Sequence, residues 1–535
     1  MTRGFVGIDV GTGSARAGVF SSEGALLGVA KRPIRVWRDP GDHVEQSSGD
    51  IWQAVSQCVR EAVSGSGLSA ADIGGLAFDA TCSLVLLGEG GRPLPAGASD
   101  DPERNIIVWM DHRATAEAHA INATKQAVLG YVGGVISPEM ETPKLLWLSK
   151  HRPETFAAVW QFMDLADFLS WRATGSLARS ACTVTCKWTY LAHDQRWDPT
   201  YFRAIGLGVL ADEGFSRIGT EILPAGMSIG TGLTASAAAD LGLLPGTPVG
   251  VGLIDAHAGG VGTVGAGNGP GTITSRMAYV FGTSACTMAS TAEPRFVPGV
   301  WGPYFNAMIP GLWLSEGGQS AAGAAIDYLV DMHPASVSAK TEAETANQLP
   351  GVWLADRAQT AGGAAAISEL VGDIHVVPEF LGNRAPFADP GARAIVAGLG
   401  LDRDLDSLVG LYIAGIAGLG YGVRQIIETQ AKAGVSTDTI VISGGAGQHP
   451  LVRQILADAI GVPVCASASD EPVLLGSAIL AAVAAAEWPD IHTAMRHMSR
   501  IGGIAEPSHA TAEWHARRYR AFLMLQTTAR EIQAQ

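Results

Sequence analysis

Short apolar runs and polar turns alternate from the first residues of the chain. "FVGIDV", "ARAGVF" and "ALLGVAKR" predict three successive strands, and "GGLAFDA" and "SLVLLG" two more, with one helix-patterned stretch between them at about residues 50–63. The strand and turn pattern returns at residues 277–290, "MAYVFGTSACTMAS", just after the glycine-rich "GTVGAGNGPGT". Nearer the C-terminus, "TIVI" predicts a buried strand, "SGGAGQHP" its turn, and "LVRQILADAI" an amphipathic helix. Residues 407–423, "SLVGLYIAGIAGLGYGV", carry no charge, but they fall short of the ~20 residues of a membrane span and include five glycines, so they predict a buried helix packed closely on its neighbours. The alternation of strands and helices makes this an α/β protein.

Length changes the picture first. At 535 residues the chain exceeds what one hydrophobic core supports, which predicts two large domains or several small ones. The glycine-rich segment is the candidate boundary, between 1–264 and 265–535. A net charge of −15 without any basic run argues against nucleic acid or an anionic membrane as partner. The opening "MTRGFVGIDV" runs straight into a strand and lacks the pattern of a signal peptide. Six cysteines are scattered, and the one close pair, Cys182 and Cys186, matches no zinc or redox spacing. Reduced thiols and a cytoplasmic location are expected.

Three glycine-rich turns carry candidate chemistry. In "DVGTGSAR", Gly11 lets the backbone approach a ligand closely, Thr12 and Ser14 offer hydroxyls to phosphate, Arg16 adds charge, and Asp9 suits a hydrated Mg2+. "FGTSAC" repeats the theme with Gly282 and Thr283, which suggests one ligand held between two similar turns. In the third, Gly444 and Gly445 leave room for a flat ring against the backbone. The chain has no Gly-Lys dipeptide and hence no Walker A loop, and "GVGTVG" at 260–265 lacks the acidic residue that a dinucleotide fingerprint requires. One carboxylate stands apart: Asp255, in "GLIDAHAGG", lies between an apolar run and small residues, where a charge must be paired, solvated or used. A helix cap explains it as well as a functional role does.

Taken together, "GIDVGTGSARAGVF", "FGTSAC", "ISGGAGQHP" and "DAHAGG" resemble the FGGY family of carbohydrate kinases over nearly the whole chain. "FDATCSLVLL", "VWMDHRA", "ETPKLLWL", "DFLSWRATG", "CKWTYL", "GVWGPYF" and "SEGGQS" are most similar to its D-ribulokinase branch. The resemblance implies the two-domain ATPase fold of hexokinase, actin and Hsp70, with an active-site cleft between the domains. It implies transfer of a phosphoryl group from ATP, with Mg2+, to the terminal hydroxyl of a ketopentose, D-ribulose foremost, and closure of the two domains about a hinge near 260–275.

Asp255 then takes the place of the general base. Because the transition state is loose and the proton moves late, a carboxylate near its ordinary pKa of ~3.9 suffices. The sugar-binding set carried over is Thr81, Trp109, Asp111, Lys187, Glu316 and Gln319, with Trp109 as an apolar wall and the rest as polar contacts. Gly444, Gly445, Ala446 and Gln448 fall on the adenine side, and His449 departs from the Asn or Ser of related kinases. His257 reads as a structural neighbour of Asp255. Alternatives at this point are a kinase of L-ribulose, D-xylulose, ribitol or erythritol, and a noncatalytic nucleotide-binding regulator. A homodimer fits the resemblance, without an interface legible in the sequence.

Overall fold

The structure is a computed structural model that describes residues 3–97, 99–362 and 367–534. Its frame is a pair of sheets built on one plan. In the first, strands run in the order Val249–Ile254, Ile73–Ala80, Gly4–Val10, Ser14–Ser21 and Leu26–Pro33. The first three are parallel, and the last two fold back antiparallel as a meander. In the second, Val464–Ser467, Thr439–Ser443 and Arg276–Phe281 are parallel, followed by antiparallel Ala285–Thr291 and Trp313–Gln319. Trp301–Phe305 and Ile501–Ala505 extend its two edges.

The repeated plan follows from the repeated sequence pattern. Each hairpin begins with a strand whose residues are almost all buried, as in Gly4–Val10 and Arg276–Phe281, because helices pack against them. Each then reverses at a Gly-Thr turn. Gly11 N–H donates to Ser14 O at 3.0 Å and Gly282 N–H to Ser284 O at 2.9 Å, so the two turns close in related ways.

Two helices join the halves. Asp255–Val261 leaves the end of the first sheet and also packs on the second, while Pro472–Ala484 leaves the second and lies on the first. They cross at small residues, since a Cβ on Gly476 would sit 1.9 Å from the carbonyl oxygen of Ala258. Leu405–Lys432 is the uncharged helix expected at 407–423, longer at both ends and largely buried in the second half. A further five-stranded sheet, containing Leu84–Leu87 and Ile106–Ile107, places the "VWMDHR" segment beside the first hairpin.

Candidate active site

The cleft between the sheets holds a cavity of about 310 Å³. Both hairpin turns reach it, Gly11 and Thr12 from one half, Gly282, Thr283 and Ser284 from the other. The paired-turn pattern therefore converges on one space.

Asp9 is the next-to-last residue of the strand Gly4–Val10, and Asp255 opens the helix that follows Ile254. Ile254, not Asp255, is the N-cap, and Asp255 Oδ1 accepts only the neighbouring Ala256 N–H at 2.7 Å, so the carboxylate is not consumed in capping. Burial, aided by the nearby charge of Asp9, pushes the Asp255 carboxyl up from 3.8 to about 6. This departs from the ordinary value expected of the base. Asp79, fully buried between them in the adjacent strand, is pushed well above the carboxylate range by burial and by Asp9. Its Oδ2 accepts from Ser477 Oγ at 2.6 Å, and its Oδ1 has no partner. Arg16 donates to Asp9 through Nε at 2.8 Å and to Glu471 through Nη1 at 2.7 Å, tying the first hairpin to the helix Pro472–Ala484. A cluster of carboxylate oxygens with one buried orphan is a donor set that fits Mg2+, which takes hard oxygen ligands and retains water.

Opposite this cluster the cavity is lined by Thr81, Trp109, Glu139, Lys187, Trp301, Glu316 and Arg384. Trp109 Nε1 donates to Thr12 Oγ1 at 3.0 Å, which joins the aromatic wall to the first turn. Lys187 comes from the last turn of Ala181–Trp188, and its ammonium lies 4.7 Å from the ring centre of Trp301. Burial works against the Lys187 charge, but Cys82 and Glu316 prevail and its pKa stands well above the usual lysine value. Glu316 is held down to about 2: burial opposes its charge, and Lys187, a hydrogen bond from His257 and Arg384 outweigh that. Cations and anions thus alternate around a space in which hydroxyl groups can both donate and accept.

The predicted residues divide accordingly. Asp9, Gly11, Thr12, Arg16, Thr81, Trp109, Lys187, Asp255, Gly282, Thr283 and Glu316 line the cavity. Asp111 does not. It is fully buried, its Oδ1 accepts from Arg113 N and Nε, and its Oδ2 accepts from Val44 N at 2.6 Å and Arg113 Nη2 at 2.7 Å. With its lone pairs engaged, it is an internal ion pair and not a sugar contact. Gln319 is likewise engaged, accepting from Tyr279 Oη at 2.8 Å and donating to Leu419 O at 2.9 Å, so it fastens a strand to the long helix.

Ser14 begins the second strand, outside the cavity lining. Gly444, Gly445 and Gln448 lie in and before the turn Gly445–Gln448, beyond the cavity but against the second hairpin. Gly444 has φ +102°, and a Cβ there would meet Phe281 O at 2.0 Å. The Ala446 side chain is outside the described residues. His449 caps the helix Pro450–Ile460, its Nδ1 accepting from Leu451 N at 3.2 Å, which gives the substitution a structural role.

Sequence reasoning missed Glu139, Trp301, Arg384 and Asp79. Asp79 and Trp301 stand in the quoted "FDATCS" and "GVWGPYF" segments, so a signal existed. Glu139 and Arg384 come from loops without regular pattern, and only the folded chain brings them to the cavity.

Comparison with known proteins gives the same family over both halves. Residues 5–262 match the N-terminal domain, and residues 277–485 the C-terminal domain, of the FGGY family of carbohydrate kinases. The human FGGY carbohydrate kinase domain-containing protein is 44% identical, with 98% of this chain and 96% of that one covered. A D-ribulokinase of Saccharomyces cerevisiae is 36% identical over 90% of this chain and 72% of its own. In structure, a xylulose kinase from Rhodospirillum rubrum superposes with a TM-score of 0.80 at 22% identity, covering all of both chains, which shows the shared two-domain fold. The chain belongs to the FGGY family of carbohydrate kinases.

Proposed function

We propose that the protein phosphorylates D-ribulose to D-ribulose 5-phosphate at the expense of ATP, with Asp255 as general base. The observation that carries this reading is the position of Asp255. It is a half-buried carboxylate that forms no salt bridge among the described residues, where two phosphate-type turns meet a ring of sugar-type contacts. The likeness to the yeast D-ribulokinase supports the choice of sugar.

The sugar lies with its carbon face on Trp109 and its hydroxyls among Thr81, Lys187 and Glu316. Its terminal oxygen attacks the γ-phosphorus, the bond from that phosphorus to the ADP oxygen breaks, and the hydroxyl proton passes to the Asp255 carboxylate. The backbone amides and hydroxyls of the turns at Gly11–Thr12 and Gly282–Thr283 hold phosphate oxygens, and the Gly444–Gly445 turn with Gln448 receives the adenosine end. Asp9, through water, would hold Mg2+, which supplies positive charge to the phosphates. Closure about residues 260–275, the connection between the two halves, would exclude water and limit ATP hydrolysis.

The test is ADP release with MgATP across D-ribulose, L-ribulose, D-xylulose, ribitol, erythritol and glycerol. The highest kcat/KM is expected with D-ribulose. A higher value with another member moves the substrate and keeps the mechanism, whereas ATP binding without turnover on any sugar refutes the kinase reading.

A further inference from the structure

Behind the sugar side of the cavity lies a second cluster that the phosphoryl-transfer reading leaves unused. Cys182 and Cys186 stand one turn apart on the helix Ala181–Trp188, and their sulfurs face the ring of His257 from the helix that Asp255 opens. All three residues are fully buried, and their sulfur and nitrogen atoms lie within 4.8 Å of one another. Cys182 Sγ is 3.0 Å from His257 Nδ1 and also receives the Ile254 N–H at 3.4 Å. The other ring nitrogen, Nε2, is 3.3 Å from Glu316 Oε2.

We infer that Cys182, Cys186 and His257 form a binding site for one soft d10 cation of the Cu+ type, with Glu316 as its outer carboxylate. Two thiolates and an imidazole select soft ions over Mg2+. A carboxylate on the far nitrogen of a ligating histidine is the arrangement that fixes the ring and its tautomer at metal sites. Among the described residues the cluster has three ligands, one fewer than structural zinc requires, which favours an ion content with three. Binding makes two Cu–S bonds and one Cu–N bond. It expels two protons: the thiol proton of Cys186, and the proton shared by Cys182 and His257 Nδ1. No oxidation occurs. The bound ion would staple the helix bearing Lys187 to the helix bearing Asp255.

The experiment is an anaerobic titration of the full chain with Cu+ against a coloured Cu+ chelator, which needs no kinase turnover and so fails or succeeds apart from the proposed reaction. One ion per chain and two protons released per ion are expected. Affinity should fall about 100-fold or more in Cys182→Ser and in Cys186→Ser. It should persist when the cavity thiols Cys82 and Cys286 are both changed to Ser. Failure to take Cu+ from the chelator, or loss of the ion with Cys82 and Cys286 instead, overturns the site. X-ray absorption of the loaded wild type gives a check that does not depend on any variant folding. Two sulfur neighbours and one nitrogen support the assignment, and a shell of sulfur alone refutes it.

Discussion

Asp255→Asn should lose activity and gain stability, and the two effects have one cause. The carboxyl is raised from 3.8 to about 6 mainly because ionising it in the cleft removes it from water, with Asp9 adding repulsion. At about 1.4 kcal/mol per pH unit, keeping the ionised form in the folded state costs about 3 kcal/mol above pH 6. The sign is that of an acid with a raised folded pKa: the cost is absent below the unfolded value near 3.8, builds up between there and about 6, and is complete above about 6. Asparagine has the same shape and no charge. At pH 8 the variant should therefore unfold at higher temperature or denaturant than wild type, with the gain shrinking between about pH 6 and 4.

Turnover should fall about 10²-fold or more in the same variant, because no base receives the hydroxyl proton. In wild type, kcat/KM measured at low MgATP should show an acid limb with its midpoint near 6, so that at pH 5 about one-tenth of the plateau remains. Coupled ADP release across pH, beside thermal and urea unfolding of both proteins, reads all of this. A variant less stable than wild type at pH 8 refutes the desolvation argument, and one with near-normal turnover removes Asp255 from catalysis.

Other changes separate the site from its supports. Lys187→Ala should raise the sugar KM about 10- to 100-fold, the worth of a charge-assisted hydrogen bond, with a smaller effect on the KM for ATP; equal effects in steady-state kinetics would place the lysine elsewhere. Asp111→Asn should cost about 1–3 kcal/mol of stability by removing one of the two carboxylates, the other being Glu45, that hold the buried Arg113, with little change in sugar KM, and a stable variant with a raised sugar KM would return Asp111 to the sugar site. Gly476→Ala places a methyl 1.9 Å from Ala258 O, so the two crossing helices must separate. Destabilisation of about 1–3 kcal/mol or more and a drop in turnover are expected, and wild-type behaviour in both would deny the close crossing.

The elements and the type of chemistry are legible in local stretches of sequence. Local rules suffice for an apolar run bounded by Gly-Thr turns, as at Gly4–Val10 and Arg276–Phe281, or for a helix such as Pro450–Ile460, because their signals lie within a few residues. The family resemblance likewise rests on contiguous motifs, and those motifs carry the reaction class.

Only the tertiary structure decided which polar side chains are free to act. Asp111 and Gln319 sit in motifs as suggestive as those of Lys187 and Glu316, yet Arg113, Val44, Tyr279 and Leu419 occupy their atoms. Arg384 and Glu139 reach the cavity from loops whose sequence carries no period to read. Cys182 and Cys186 match no spacing rule alone, and the third member, His257, lies far along the chain on another helix. The raised carboxyl of Asp255 is of the same kind, since burial and proximity to Asp9 are properties of chain packing. Partners distant in sequence meet only when the whole chain closes, so pairing, desolvation and charge are set there and not in any local stretch.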